Sequence, residues 1–172
     1  VSLGPLDCWP VADGGAWCFV IAYNDGPDLV ESISADVHLL SSAGDAISVQ
    51  NVLALLNQTP PGAAAPLAAY FEPPIPAEAQ PYQGRAELTS ALSYPGESAA
   101  RPLELHNFRS EVLAGGLVVE ASGDLILIGS ETQASDVWVA AAAFNLQGRI
   151  IGVRRCESSL PLQPGQWLPF AL

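Results

Sequence analysis

The residues Ile33-Ser34-Ala35-Asp36-Val37-His38-Leu39 alternate between apolar and polar side chains. Successive side chains of a strand point to opposite faces. This period of two therefore specifies a half-buried strand, with Ile33, Ala35, Val37 and Leu39 toward a core. The pattern spreads outward. Residues 85–92 place Ala86, Leu88, Ser90 and Leu92 on one side, and Trp138 alternates against Val137 and Val139. Residues 125–128 form a continuous apolar run, which predicts a central strand covered on both sides. The main helix-like stretch, Val52-Leu53-Ala54-Leu55-Leu56, is stopped by Gln58-Thr59-Pro60-Pro61-Gly62. It reads as a buried strand end, with one helical turn as the alternative. Glu72-Pro73-Pro74-Ile75-Pro76 cannot be a central strand, because Pro donates nothing to the ladder. The fold expected is all-β.

Composition agrees. The 172 residues are 49% apolar and 14% charged, with fifteen Pro and fifteen Gly, which suits short strands joined by turns. No apolar run approaches the roughly 20 residues of a membrane-spanning helix. Eighteen acidic residues against six basic ones give a net charge of −12, and every basic residue is Arg. So acidic a chain repels phosphate backbones, which argues against nucleic acid as a partner. There is no Met. The expectation is a processed or excised chain whose export signal is already removed.

Two stretches match. Val11-Ala12-Asp13-Gly14-Gly15-Ala16 is similar to Val112-Leu113-Ala114-Gly115-Gly116-Leu117. Ile33, Val37, Gly44, Ile47 and Val49 correspond to Val137, Ala141, Gly148, Ile151 and Val153. Thr59-Pro60-Pro61-Gly62 with Leu67, Tyr70 and Phe71 matches Leu162-Gln163-Pro164-Gly165 with Leu168 and Phe170. The order is the same in both copies, so the expectation is an internal duplication giving two tandem antiparallel β-sandwich domains. They are placed at residues 1–95 and 102–172, with a linker at 96–101.

Cys8 and Cys18 flank Asp13-Gly14-Gly15. A hairpin turning there sets Cys8 opposite Cys18 and Trp9 opposite Trp17, within disulfide reach. A bridge between them places the chain outside the cell or on its surface, whereas two reduced, partly buried thiols are the alternative. Cys156 is left over and reads as a small strand residue.

The second copy carries a sharper signature: the strand at 125–128, the alternating strand at 137–144, Gln147-Gly148, Ile150-Ile151-Gly152-Val153, and Pro164-Gly165-Gln166-Trp167-Leu168-Pro169-Phe170. Residues 121–172 resemble FxLYD-type and related immunoglobulin-like modules of bacterial cell-surface proteins. Two places depart from the pattern: Gly129-Ser130-Glu131-Thr132 after the first strand, and Phe144-Asn145 where the family has Tyr-Asp. The resemblance implies an immunoglobulin-like sandwich on an exported protein, with no enzymatic role.

The polar residues do not spell out a catalytic site, and no cofactor is expected. His38 and His106 are the two histidines, and neither belongs to an HxH, HExxH or CxxC spacing. There is no G-x-S-x-G elbow and no phosphate-cradling glycine loop. Asn24, Asp25 and Asp28 offer oxygen ligands to a calcium ion within five residues. The same residues, with Gly26 and Pro27, make an ordinary turn, which is the preferred account. Asn57-Gln58-Thr59 fits the N-glycan acceptor pattern, though Pro60 follows it and a turn is the simpler account. The aromatic residues Trp9, Trp17, Trp138, Trp167, Tyr23, Tyr70, Tyr82 and Tyr94 could stack on a sugar. Core and subunit contacts are preferred, with Trp138 as a candidate interface residue.

Residues 85–92 have no counterpart after Leu168 and Phe170, so the second sandwich is expected to lack its last strand. Three accounts compete: the chain is cut short, the second fold is simply smaller, or another copy supplies the strand, with Val1, Leu3 and Leu6 of an apolar N-terminal segment, residues 1–6, as the donor. Copies joined so form a filament. The leading expectation is thus a non-catalytic extracellular structural protein that associates with itself or with other surface proteins. The alternatives are a carbohydrate- or ligand-binding adhesion module and an accessory domain of a larger surface protein.

Overall fold

A computed structural model describes residues 1–79, 82–95, 103–116, 118–129 and 132–172. The linker expected at 96–101, and Ser130 and Glu131 in the turn before the alternating strand, lie outside these residues. Strand accounts for 65% of the chain and helix for 3%, in several antiparallel sheets, so the all-β expectation holds. The chain groups into two compact units: Val1–Glu97 with Phe144–Val153, and Ser98–Ala143 with Arg154–Leu172. The contiguous division expected at 95 and 102 differs from this at Phe144–Val153, which Arg149 and Ile150 tie to Asp7 and Trp9 of the first unit.

In the first unit, β3 (Ala16–Tyr23) is the centre of one sheet. β1 (Ser2–Leu3) and β2 (Asp7–Pro10) pair along one edge and β7 (Ala64–Phe71) along the other, all antiparallel. The facing sheet is centred on β4 (Leu29–Leu40). β5 (Ala46–Leu53) and β6 (Gln58–Thr59) share one edge, and β8 (Gln83–Tyr94) runs along the other. Ile33, Ala35, Val37 and Leu39 are all buried, as their alternation requires. They meet Cys18, Val20 and Ala22 of β3 and Leu67 and Ala69 of β7 in a continuous core. The stretch at residues 52–56 continues β5 as far as Leu53, and Ala54 is buried. Residues 72–76 form no strand, and Ile75 packs on the core there.

One expectation about β8 fails. Ala86 and Ala91 pack against the core, whereas Leu88 and Leu92 are exposed. The β4–β8 register shifts between Glu31 and Ser34 and again between Ser34 and Ala35, which turns Ala91 inward and Leu92 outward, whereas Leu88 stays opposite the buried Ala35 and is exposed although it shares that inner face.

In the second unit, β10 (Val118–Leu127) lies between β9 (Leu103–Leu113) and β13 (Trp167–Ala171). β11 (Val137–Phe144) pairs with β12 (Ile150–Ser158), and of these Phe144 and Ile150–Val153 group with the first unit. Leu125, Leu127, Val137 and Leu162 form a small core. The run at 125–128 is central in its sheet, but Ile126 stays half-buried between Leu125 and Leu127. One face of that strand is therefore buried, where two were expected. Pairings recur between the units. β3 pairs with β7 as β10 does with β13, and Val30 opposes Thr59 as Ala134 opposes Leu162.

Gly84 of β8 crosses Leu6 closely. A Cβ there would meet Leu6 Cδ2 at 2.6 Å and the His38 carbonyl oxygen at 2.7 Å. Gly84→Ala should destabilise the protein by about 1–3 kcal/mol, because the backbone must shift. Gly152→Ala, with nothing within 4 Å, should be neutral or slightly stabilising. Urea midpoints of the two variants check this, and equal midpoints would contradict the close approach of β8 to Leu6.

Candidate functional site

The Gly-Gly hairpin of the first unit forms as its residues dictate. Gly14 takes φ +89°, Gly14 N–H donates to the Val11 carbonyl, and Cys8 faces Cys18 with Trp9 facing Trp17. Cys8 and Cys18 are joined by a disulfide. Closing this short loop is worth about 2–3 kcal/mol in the chain-entropy account. Asp13 accepts from the Tyr70 hydroxyl at 2.5 Å and from Gly15 N–H at 2.8 Å. These bonds favour the carboxylate, and the Tyr70 bond leads in lowering the Asp13 pKa. The same bond raises that of Tyr70.

Asp7 of β2 is a buried carboxylate that sequence reading did not single out. Arg149 Nε donates to it at 2.6 Å and Ile150 N–H at 3.0 Å, so its charge is satisfied. Trp9 Nε1 donates to the Ile150 carbonyl at 2.7 Å, and the Arg149 guanidinium lies 4.2 Å from the Trp9 ring. No short-range pattern reveals a partnership between residues so far apart in the chain.

The oxygens and amide of the calcium candidate go to separate partners. Asn24 Nδ2 donates to the carbonyls of Asp28 and Thr59, Asp25 accepts from Ser2 Oγ, and Asp28 accepts from Ser93 Oγ. These residues build the turn and its neighbours. Asn57 is exposed, while Thr59 of the same acceptor pattern is buried. Cys156 is a free, half-buried thiol on β12. Trp138 of β11 is half-buried, with the Arg155 guanidinium 4.4 Å from its ring. His38 sits 3.6 Å from Glu87, and His106 hydrogen-bonds Glu104 at 3.0 Å. The Trp residues do not form one platform. Trp17 contacts Phe19 and Tyr70 in the first unit, and Trp167 meets His106 edge-on in the second.

The donor segment expected at residues 1–6 is engaged within its own unit. Ser2 and Leu3 pair with Tyr23 and Ala22, Gly4 N–H donates to the Ile21 carbonyl, and Leu3 and Leu6 pack against the core. The premise that nothing in the first unit claims it is therefore corrected. Apolar side chains beside an uncovered flank of the core settle there first. Val1 alone of the three is exposed.

The second unit is where inner faces stay open. In the β9–β10 register, Leu103 stands opposite Leu127 and Leu105 opposite Leu125. Directly opposed residues share a face, so both leucines belong to the face that holds the core. Leu105 confirms it by leaning on Gly123, where an added Cβ would meet its Cδ1 at 3.2 Å. Yet Leu105 is 52% exposed and Leu103 37%, whereas Leu127 is 2% exposed. Ala141 and Ala143 of β11, on the same side of the strand as the buried Val137, are only half-buried.

Among the described residues, β11 pairs with β12 alone, so one of its edges carries unpaired backbone donors and acceptors. Val137–Phe144 contains no charged residue, no Pro and no Gly. Several other edge strands carry such a block: Arg85 and Glu87 on β8, Glu104 and Arg109 on β9, Arg154 and Glu157 on β12, Pro66 on β7 and Pro169 on β13, whereas β5 of the first unit, like β11, carries none. An uncharged edge strand in a unit with leucines exposed on a core face is chemically suited to accept a strand. The sequence carried a signal for this, the alternation Leu103-Glu104-Leu105-His106, but it does not say whether the leucine face is covered.

Comparison with protein families, curated proteins and solved structures finds no match to the chain.

The Asp13–Tyr70 pair makes a pH prediction. Asp13 titrates below its ordinary 3.8, so its contribution is present above that value and is lost as pH falls through the folded-state pKa. Tyr70 titrates above 10.0, so its contribution is complete below that value and is lost as pH rises through its folded-state pKa. In Tyr70→Phe, the Asp13 midpoint followed by NMR should move up toward 3.8. An unmoved midpoint would show that Tyr70 is not the leading cause.

Proposed function

We propose that the chain is a non-catalytic assembly module of an exported surface structure, whose second unit is closed by an extended segment from another chain. Two observations in the second unit carry this: Leu103 and Leu105 are exposed on a core face, and β11, which among the described residues pairs with β12 alone, is uncharged. Folded proteins cover or charge such edges, so an edge left bare is best explained by a partner.

The setting follows from chemistry. A structural disulfide persists in oxidising compartments, and none of the described helices is long and apolar enough to cross a membrane. An extracellular location fits both. The immunoglobulin-like reading of the sandwich, and the resemblance to surface modules, belong to the same proposal. When the other chain is a second copy, donor and acceptor are different surfaces and the contact is head to tail. Such contacts leave a free acceptor at one end and a free donor at the other, and give a filament. The net charge of −12 keeps neighbouring filaments apart at low salt.

One observation favours a second reading, a carbohydrate-binding module. Trp167 is half-exposed beside His106, whose imidazole holds Glu104, an aromatic-and-carboxylate group of the kind sugars use.

Sedimentation and electron microscopy of the purified chain test the assembly reading. The expected result is concentration-dependent growth into elongated species. A monomer at every attainable concentration, alone and mixed with other proteins of the same surface, would overturn it.

A further inference from the structure

The turn that joins β11 to β12 groups with the first unit, where it is seated on β2. Its shape comes from its own residues. Asn145 N–H donates to the Arg149 carbonyl, and the Asn145 side-chain oxygen accepts from the N–H groups of Gln147 and Arg149. Arg149 and Ile150 therefore reach β2 as one rigid piece.

The seat on β2 is two residues wide, with a disulfide between them. Cys8 points into the core, so Asp7 and Trp9 point to the outer face of the sheet. A carboxylate on an outer face is ordinarily solvated, yet Asp7 is 7% exposed. Arg149 and the buried Ile150 cover it, and each Asp7 oxygen accepts from one of them. The Trp9 indole N–H is engaged by the Ile150 carbonyl.

Backbone pairing holds this seat only lightly. Val11 N–H donates to the Gly15 carbonyl, so these two form a hydrogen-bonded pair. Bonded and non-bonded pairs alternate along an antiparallel ladder. Trp9–Trp17 and Asp7–Phe19 are then the bonded pairs of β2, and Cys8–Cys18 is the non-bonded pair between them. Two ladder positions hold a four-residue strand, and they belong to the same two residues that carry the turn. Across the sandwich, Gly84 of β8 lies over Cys8 and has no side chain to grip it. The covalent link at Cys8 therefore sets where Asp7 and Trp9 stand.

We propose that oxidation of Cys8–Cys18 and docking of the Phe144–Val153 hairpin on β2 are one coupled switch. Oxidised, β2 is a rigid seat and the hairpin is down. Reduced, β2 frays from β3, Asp7 and Trp9 lose their common register, and the hairpin lifts while the rest of the first unit stays folded. The redox step is thiol–disulfide exchange with a dithiol. Two electrons and two protons pass to the disulfide, which gives two Cys thiols and leaves the dithiol oxidised. A reduced chain thus docks its hairpin on meeting an oxidising compartment. The coupling stands apart from the assembly reading above. By linkage it is reciprocal: a docked hairpin resists reduction of the disulfide by the factor by which the disulfide favours docking.

Hydrogen exchange of the full chain, oxidised and in excess dithiothreitol, tests the switch. On reduction the Trp9 indole N–H and the Ile150 amide should exchange about fivefold faster or more. The amides of Leu29–Leu40 that bond to β8 should keep their protection. Unchanged exchange at Trp9 and Ile150 would overturn the coupling. Loss of protection along β4 as well would show that the disulfide holds the whole unit, and would overturn a local switch. Reciprocity supplies a second readout. In Arg149→Met the equilibrium constant for reduction by dithiothreitol should rise about fivefold or more. Thr89→Val, which removes the Ser34–Thr89 hydrogen bond on the facing sheet, should leave that constant near the parent value. The proposal fails if Arg149→Met keeps the parent value, or if Thr89→Val raises it as much as Arg149→Met does.

Discussion

A β-sandwich buries its inner faces only where a strand of one sheet lies over a strand of the other, and every other feature of this chain follows from where that overlap is complete. In the first unit three columns of strands face three, and the inward residues of β4 and β3 vanish from the surface. In the second unit β9, β10 and β13 face β11 and β12 alone among the described residues. The column over β9 is missing, and its leucines stay exposed. Fully burying a leucine is worth about 1.5–3 kcal/mol, so closing that column is a substantial driving force.

The two units manage their edges differently. β8 carries Arg85 and Glu87, which block further pairing, and the first unit is closed by its own chain. β11 carries no such block.

Much of this was legible in the residues. The alternation at 33–39 gave β4 and its buried face, and symmetry about Asp13-Gly14 gave the Cys8–Cys18 register, because both depend on local periodicity and turn chemistry. What stayed hidden depends on long-range geometry. The register shifts at Ser34 turn Leu92 outward, and no alternation count can place a bulge. The Asp7–Arg149 pair joins residues with no common local pattern. The N-terminal segment looked free because two-residue pairing leaves almost no sequence trace, yet Leu3 and Leu6 find the core of their own unit. The exposed leucine face itself needed the β9–β10 register, which shows that Leu103 and Leu105 share a face with Leu127 and Leu125.

The central claim is that the free edge of β11 is unpaired where the edge of β4 is closed. Hydrogen–deuterium exchange of the isolated chain, resolved to single amides, reads this directly. In dilute solution, alternate amides of Val137–Phe144, those pointing away from β12, should exchange rapidly, while the amides of Leu29–Leu40 that bond to β8 stay protected. Equal protection of the two strands in the monomer would show that β11 is already closed within its own chain and would contradict the account.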